Sequence, residues 1–408
     1  MEALSIYLGQ SALAVTSVES WRQVLRILAE LVKKGKWTIF LEEFRWLCCY
    51  DDELISELKF FWDNHFRHNP HLILVLCGSS PSFMVNKVIK SKALYNRSQH
   101  EIALKQFSLS ETKEFLGVRF SDLMTLNAHL SIGGLPEYLK KIRQEGAVVP
   151  GLVENSFLPG SFFSTEKMRV FVSALSESSH YERIVDVLAS HRYMTRDNLL
   201  KTIGIGSGGS ATKVFEDLIS CGFIDKYHSF QSEESTRNQR LRIIDPYLNF
   251  YFKFITPKMK SIESGMFLKH PESGLNLRAY EQFLGFSFER LMVQISHHLA
   301  TILGFSAIEY RAGSYFRRST LQKSILPEGF QLDYVFERAD HVFTLCEFKH
   351  TQKPVDLKIA KIILGRMELF DYKPKNARQR VLLATAGVTS EVKNSGIFDR
   401  ILTLKDLF

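Results

Sequence analysis

Residues 330–349, FQLDYVFERADHVFTLCEFK, contain two apolar-rich runs separated by the polar tetrapeptide Arg338-Ala339-Asp340-His341. Runs of Phe, Val, Leu and Tyr flanking a short polar break predict two antiparallel strands joined by a tight turn. A hairpin centred on Asp340 sets Asp333 opposite Glu347, each seven positions from the centre. Opposed positions bring their Cβ atoms to about 5 Å. Lys349, two residues beyond Glu347, shares that face. Opposed like charges destabilise a strand pair, so the arrangement calls for a cation between them. The competing reading is a solvated hairpin face carrying alternating charges.

Working upstream, GFSFERLMVQI (285–295) has a helical period and places Glu289 at the edge of a stripe made by Leu284, Phe288, Leu291, Met292 and Ile295. That edge lets a carboxylate reach toward the sheet. Helices over 280–300 and 355–371, strands near 305–345 and a strand in RVLLATAG complete an α/β pattern.

Residues 178–255 differ in character. SHYERIVDVLASHR, TRDNLLKTIGI and SATKVFEDLISCGFI predict three short helices, with Thr195 and Ser210 as N-caps of the second and third. FIDKYHSF and RNQRLRIID predict a hairpin after them, and three helices followed by a two-stranded wing form a winged helix-turn-helix pattern. The basic residues suited to duplex DNA are Lys213 on the third helix and Arg237 and Arg240 on the wing. Gly204 to Gly209 satisfies G-x-G-x-x-G. It follows a helix rather than a strand, so it reads as a turn and not as a dinucleotide loop.

The first third alternates helix and strand. KGKWTIFLEEFRWL (34–47) is a buried strand ending in Glu42-Glu43, and HLILVLCGSS is a second one running into Ser79-Ser80. Buried strands separated by helices imply a parallel sheet with its ligand site at the carboxyl ends of the strands. The ordinary alternative for the two acids is a helix N-terminus, where carboxylates are favoured.

Composition bounds the rest. At 408 residues the chain exceeds one ordinary core, and 45% apolar with 24% charged residues is a globular composition. A net charge of +8 permits nucleic-acid binding. The five cysteines show no metal-ligand spacing, and no apolar run reaches the length of a membrane span. A cytoplasmic setting without membrane association is expected.

Seven strings in order, TIFLEEFRWL, LILVLCGSSPSFM, LYNRS, GGLPEYL, RIIDPYLNFYFKFITP, GFSFERL and QLDYVFERADHVFTLCEFKHTQKPV, resemble the archaeal-type ATPase family of prokaryotes. Its members carry a winged helix and a restriction-endonuclease-like C-terminal domain. The resemblance implies an α/β multidomain chain: a P-loop-type parallel-sheet remnant with a helical lid (1–155), a winged helix-turn-helix (170–255) and a PD-(D/E)xK nuclease-like domain (256–408). It makes Glu42 the magnesium-side acid, Glu43 the base, Ser79 or Ser80 the nucleotide sensor and Arg97 the finger on the γ-phosphate. In the C-terminal domain it gives Mg²⁺ to Asp333 and Glu347, with Glu289 as a third acid and Lys349 serving the attacking water. Glu42 stands where Asp is usual and Asn96 where Gly is usual. Family members also place G-x-x-x-x-G-K-[ST] upstream of the acidic strand, and none of the residues before Glu42 forms it.

The reading is therefore a nucleic-acid-associated member of that ATPase family with an incomplete nucleotide site and a metal-dependent nuclease-like site. Its cofactors would be Mg²⁺ and, by family expectation, ATP. One alternative is a working ATP-hydrolysing protein whose true start lies upstream. Another is a catalytically inactive DNA- or protein-interaction module that pairs with full-length ATPase relatives. Whether the chain is an enzyme stays open at this level.

Overall fold

A computed structural model of the chain describes residues 18–50, 53–175, 179–191, 193–206, 208–227, 230, 240–317 and 330–408. The architecture is mixed α/β and divides into two compact units. One comprises Met1–Leu104, Val170–Ser178 and Lys213–Cys221; the other comprises Lys105–Arg169, Ser179–Thr212 and Gly222–Phe408.

In the first unit, β1 (Trp37–Leu41) and β2 (Leu72–Leu76) pair in parallel, Trp37 opposite Leu72 and Leu41 opposite Leu76. Parallel pairing needs a crossover, supplied by the helices Phe44–Tyr50 and Leu54–Asn64. Leu25 and Ala29 of the helix Trp21–Leu31 pack with Ile39, Phe44, Leu58 and Phe61 in one apolar cluster. Buried Asn69 donates from Nδ2 to the carbonyls of Val32 (2.7 Å) and Gly35 (3.0 Å), tying the lead-in of β1 to that of β2. The other face of the ribbon is open: Phe40 is 54% and Ile73 60% exposed.

The second unit begins with four short helices, Leu109–Leu116, Asp122–Ile132, Pro136–Gln144 and Val148–Glu154. Ser108 and Glu111 form a capping box on the first of these. Gly134 is a true close approach: Phe107 N donates to its carbonyl at 3.0 Å, and a Cβ there would lie 2.2 Å from the Phe107 carbonyl oxygen.

Next along the chain come the helices Ser179–Ala189 and Arg196–Ile203, the helix Gly209–Ser220, most of which belongs to the first unit, and three strands, β3 (Met194–Thr195), β4 (Ile224–Tyr227) and β5 (Arg240–Ile243). The strands form an antiparallel sheet in the order β3-β5-β4. Thr195 caps the second helix, accepting from Asn198 N at 3.4 Å. Ser210 lies inside the third helix rather than at its cap, a correction to the sequence expectation. Gly204, at φ 71°, closes the second helix in the left-handed region, so the glycine run is a helix-ending turn. Arg237 lies outside the described residues.

The C-terminal part has the helix Leu277–Gln294, β6 (Tyr310–Arg317), β7 (Phe330–Arg338), β8 (Val342–Lys349), the helix Leu357–Glu368, β9 (Ala377–Ala384) and β10 (Arg400–Leu402). One five-stranded sheet runs β10-β9-β8-β7-β6. Strands β6, β7 and β8 form an antiparallel meander, while β9 and β10 continue in parallel from β8. Tyr334 faces Cys346 and Phe336 faces Thr344, the register of a hairpin centred on Asp340. Val335, Phe343, Leu345 and Leu382 pack with Ile363, Met367 and Phe370 to form its core. The single helix expected over 280–300 is interrupted at Ile295, where a second helix, Ser296–Ile302, begins.

Candidate functional site: a carboxylate pair on the central hairpin

Strands β7 and β8 lie in the middle of the sheet, which fixes their side chains on both edges. The register that pairs Tyr334 with Cys346 brings Asp333 and Glu347 to neighbouring positions at the end of the hairpin ladder. Asp333 Oδ2 accepts from the Phe348 N–H at 2.9 Å. Glu347 is 1% exposed. Lys349 Nζ donates to its Oε1 at 2.7 Å, and Arg366 Nη1, from the helix after β8, approaches the same oxygen at 3.4 Å. Glu347 Oε2 is buried and has no hydrogen-bond partner among the described residues.

The electrostatics follow from burial and crowding. Burial first, then the charges of Glu347 and Glu289, push the Asp333 carboxyl up to about 8. Burial pulls the Lys349 ammonium down, but Glu347, Asp333 and Glu289 outweigh it and leave its pKa raised. Lys349 is thus a cation at neutral pH, able to donate hydrogen bonds but not to act as a base.

Two features fit this pair to a divalent cation. The site holds a buried carboxylate oxygen without a hydrogen-bond partner among the described residues, and it holds a second carboxyl whose ionisation burial and its neighbours suppress. Hard divalent cations take carboxylate oxygens of this kind. Glu289 contributes electrostatically, yet among the described residues no three or more His, Cys, Asp or Glu side chains converge to hold a metal ion. The structure therefore brings together Asp333, Glu347 and Lys349, and leaves Glu289 outside a three-carboxylate cage. The sequence reading missed Arg366, which depends on where the crossover helix lands on the sheet.

The same part of the chain contains a cleft of about 560 Å³. Asp333 and Glu289 both line it, with Phe286 and Arg290 from the Leu277–Gln294 helix and Phe316 and Gln331 from β6 and β7.

In the first unit, Glu42 is exposed and Glu43 half-buried in the turn after β1. Glu43 adopts φ 49° and accepts a hydrogen bond from Ser79 Oγ at 2.9 Å. Ser80 is buried. Glu43 and Ser79 thus meet at the carboxyl ends of the two parallel strands. Arg97 is held elsewhere: its Nε and Nη2 donate to Asp63 at 2.9 and 2.7 Å, and Nη1 donates to the Tyr95 carbonyl. Of the other basic candidates, Lys213 is exposed, whereas the Arg240 guanidinium lies 4.2 Å from the Tyr193 ring centroid and 5.3 Å from that of Phe316.

No family model matches the chain. In sequence it is similar to an uncharacterized protein of Methanocaldococcus jannaschii, 24% identical over 276 residues. That match covers 67% of this chain and 59% of the relative, so the chain spans under two thirds of the relative's length. Among solved structures it is similar to the Walker-type ATPase of Pyrococcus abyssi, with a TM-score of 0.40 and 18% identity over 60% of this chain and 75% of that one. It is also similar to the ORC2 protein of Aeropyrum pernix, solved as ADPNP–ADP complexes, with a TM-score of 0.24 and 12% identity over 61% of this chain and 69% of the other. No described helix is long and apolar enough to cross a membrane.

Proposed function

We propose that this chain is a nucleic-acid-associated protein of the archaeal-type ATPase family, and that its retained chemistry is metal-dependent phosphodiester hydrolysis at Asp333, Glu347 and Lys349. The observation that carries the reading is the buried, unsatisfied Oε2 of Glu347 beside an Asp333 carboxyl crowded by like charges. The order of elements supports it: a helix, an antiparallel meander that carries the acids, a crossover helix and a parallel strand. Asp333 and Glu347 would hold Mg²⁺ or Mn²⁺ in this reading, and the Lys349 ammonium would orient the attacking water and the scissile phosphate by donation. A bound cation would supply Lewis-acid polarisation of the phosphate and a more acidic water. Incubation of the purified chain with nucleic acid and Mn²⁺ should give cleavage that EDTA and Asp333→Asn both remove; cleavage unaffected by Asp333→Asn assigns it to a contaminant.

The N-terminal unit carries the Glu43–Ser79 part of a nucleotide site in this reading. No G-x-x-x-x-G-K-[ST] occurs in the sequence, and Arg97 is committed to Asp63. The three helices and small sheet of 179–243 serve as a winged helix, with Lys213 as its phosphate contact. Arg240 contributes chiefly by packing between aromatic rings.

A second reading, a catalytically inactive interaction module, is supported by the two cations on Glu347 Oε1. Lys349 and Arg366 offset that carboxylate without any ion. The discriminating result is a metal-dependent rise in melting temperature, which the inactive reading does not predict.

A further inference from the structure

The cleft beside the carboxylates is lined by a helix and by the β6–β7 strand pair, each supplying an aromatic residue and a carboxylate. On the helix wall, Phe286 and Glu289 are three residues apart and share a face about one turn long. On the sheet wall, Phe316 pairs with Gln331, and Asp333 lies two positions further along the same face of β7. That spacing puts Asp333 about 7 Å along the sheet from the aromatic position. Each wall thus presents an aromatic ring next to a carboxylate. Phe286 is 54% exposed although it belongs to a well-packed helix. Phe316 has Arg240 stacked near it, which fixes one side of its ring. Arg242, Lys253 and Arg290 line the same space. Arg242 is steadied by the Tyr227 ring at 4.4 Å and by Asp225 at 3.6 Å.

We infer that this cleft receives an unpaired nucleotide, so that the substrate of the neighbouring carboxylates is single-stranded nucleic acid or a frayed end rather than intact duplex. The choice of ligand rests on the phosphodiester reading above; the single-strand selectivity rests on the cleft alone. Aromatic rings that bind bases by stacking, next to cations that track phosphates, are the ingredients of sequence-tolerant single-strand sites. A volume of about 560 Å³ suits a splayed base with its sugar and phosphates and excludes a double helix. A base stacked on Phe286 or Phe316 lies in a cleft that Asp333 and Glu289 also line.

The test is fluorescence anisotropy with the full chain in EDTA, which separates cleft binding from metal chemistry. Labelled oligothymidylate and oligouridylate of about 12 nucleotides are compared with a duplex of the same length. At least one single strand should bind about tenfold more tightly than the duplex. Phe286→Ala should weaken that binding about tenfold, and Phe286→Trp should retain it, since the exposed ring is removed without touching the core. Lys253→Gln should reduce the salt slope by about 0.7. Equal affinity for duplex, or single-strand binding indifferent to Phe286→Ala, overturns the inference. Should the metal experiments fail while Phe286-dependent binding in EDTA persists, the hydrolytic reading falls and the cleft stands. The converse removes the cleft and leaves the metal pair.

Discussion

Lys349 Nζ sits 2.7 Å from Glu347 Oε1, while the other oxygen of that buried carboxylate has no hydrogen-bond partner among the described residues. The lysine therefore satisfies one oxygen of Glu347, and in the proposed reading the other would take the ion. Lys349→Met should lower stability by about 2 kcal/mol, because breaking a buried pair exposes the cost of the remaining charge. Arg366 on the same oxygen keeps that loss below the full value for a lone buried carboxylate. The variant should keep its metal-dependent shift in melting temperature yet lose cleavage, since the ammonium serves the water and phosphate and not the cation. Loss of the metal shift in Lys349→Met would show instead that the lysine organises the ion site.

Metal linkage gives the second prediction. An ion that binds only the folded chain raises stability by RT ln(1 + [L]/Kd), about 2.7 kcal/mol at a hundredfold excess over Kd. Mg²⁺ or Mn²⁺ should raise the melting temperature of the full chain with the logarithm of concentration. The rise should be larger at pH 8.5 than at pH 6, because the ion must displace the proton that burial and crowding hold on Asp333. Asp333→Asn is the informative variant. Its amide oxygen can still accept from Phe348 N, whereas Asp333→Ala would orphan that N–H and cost about 1–3 kcal/mol for an unrelated reason. An undiminished shift in Asp333→Asn would place the ion elsewhere.

Which parts were readable in advance follows from the range of the interactions. The β7–β8 register was legible because a tight turn at Arg338–His341 and alternating side chains fix it locally. The meeting of Glu43 with Ser79 was legible because parallel strands present their carboxyl ends together. Arg366 on Glu347 and Asp63 on Arg97 were not, since each depends on where a helix docks across many intervening residues. Strand β3 has two residues and carries no period of its own; it exists because β5 offers an edge. The break at Ile295 likewise has no Gly or Pro to announce it.

The third prediction concerns nucleotides. These 408 residues hold no G-x-x-x-x-G-K-[ST] and Arg97 is paired to Asp63, so they should not by themselves bind Mg·ATP with a dissociation constant below roughly 10 μM by isothermal titration. Arg97→Ala should lower stability only slightly through the lost Asp63 bonds and leave nucleotide binding unchanged. Tight binding that Arg97→Ala abolishes would restore the arginine as a phosphate contact.

The last prediction uses Asp245, buried at the start of the helix Pro246–Phe250. Its Oδ1 accepts from Leu248 N at 2.7 Å, and burial pushes its carboxyl up to about 6. The unfolded value is about 3.9, so the folded state holds the proton more tightly. The stability this group contributes is complete below about pH 4 and is lost as pH rises through about 6. His129 runs the other way: burial pushes it down to about 4, so stability is lost as pH falls from about 6.5 toward that value. Comparing Asp245→Asn with the unmodified chain at each pH cancels the histidine, which is common to both. An asparagine can still cap the helix but carries no charge to bury. It should match the parent near pH 4 and exceed it by about 2 kcal/mol at pH 8 in urea unfolding. Asp245→Ala loses the cap as well and should fall about 1 kcal/mol below Asp245→Asn at every pH. A constant difference between Asp245→Asn and the parent across pH 4–8 would mean that the carboxylate is solvated in the folded chain.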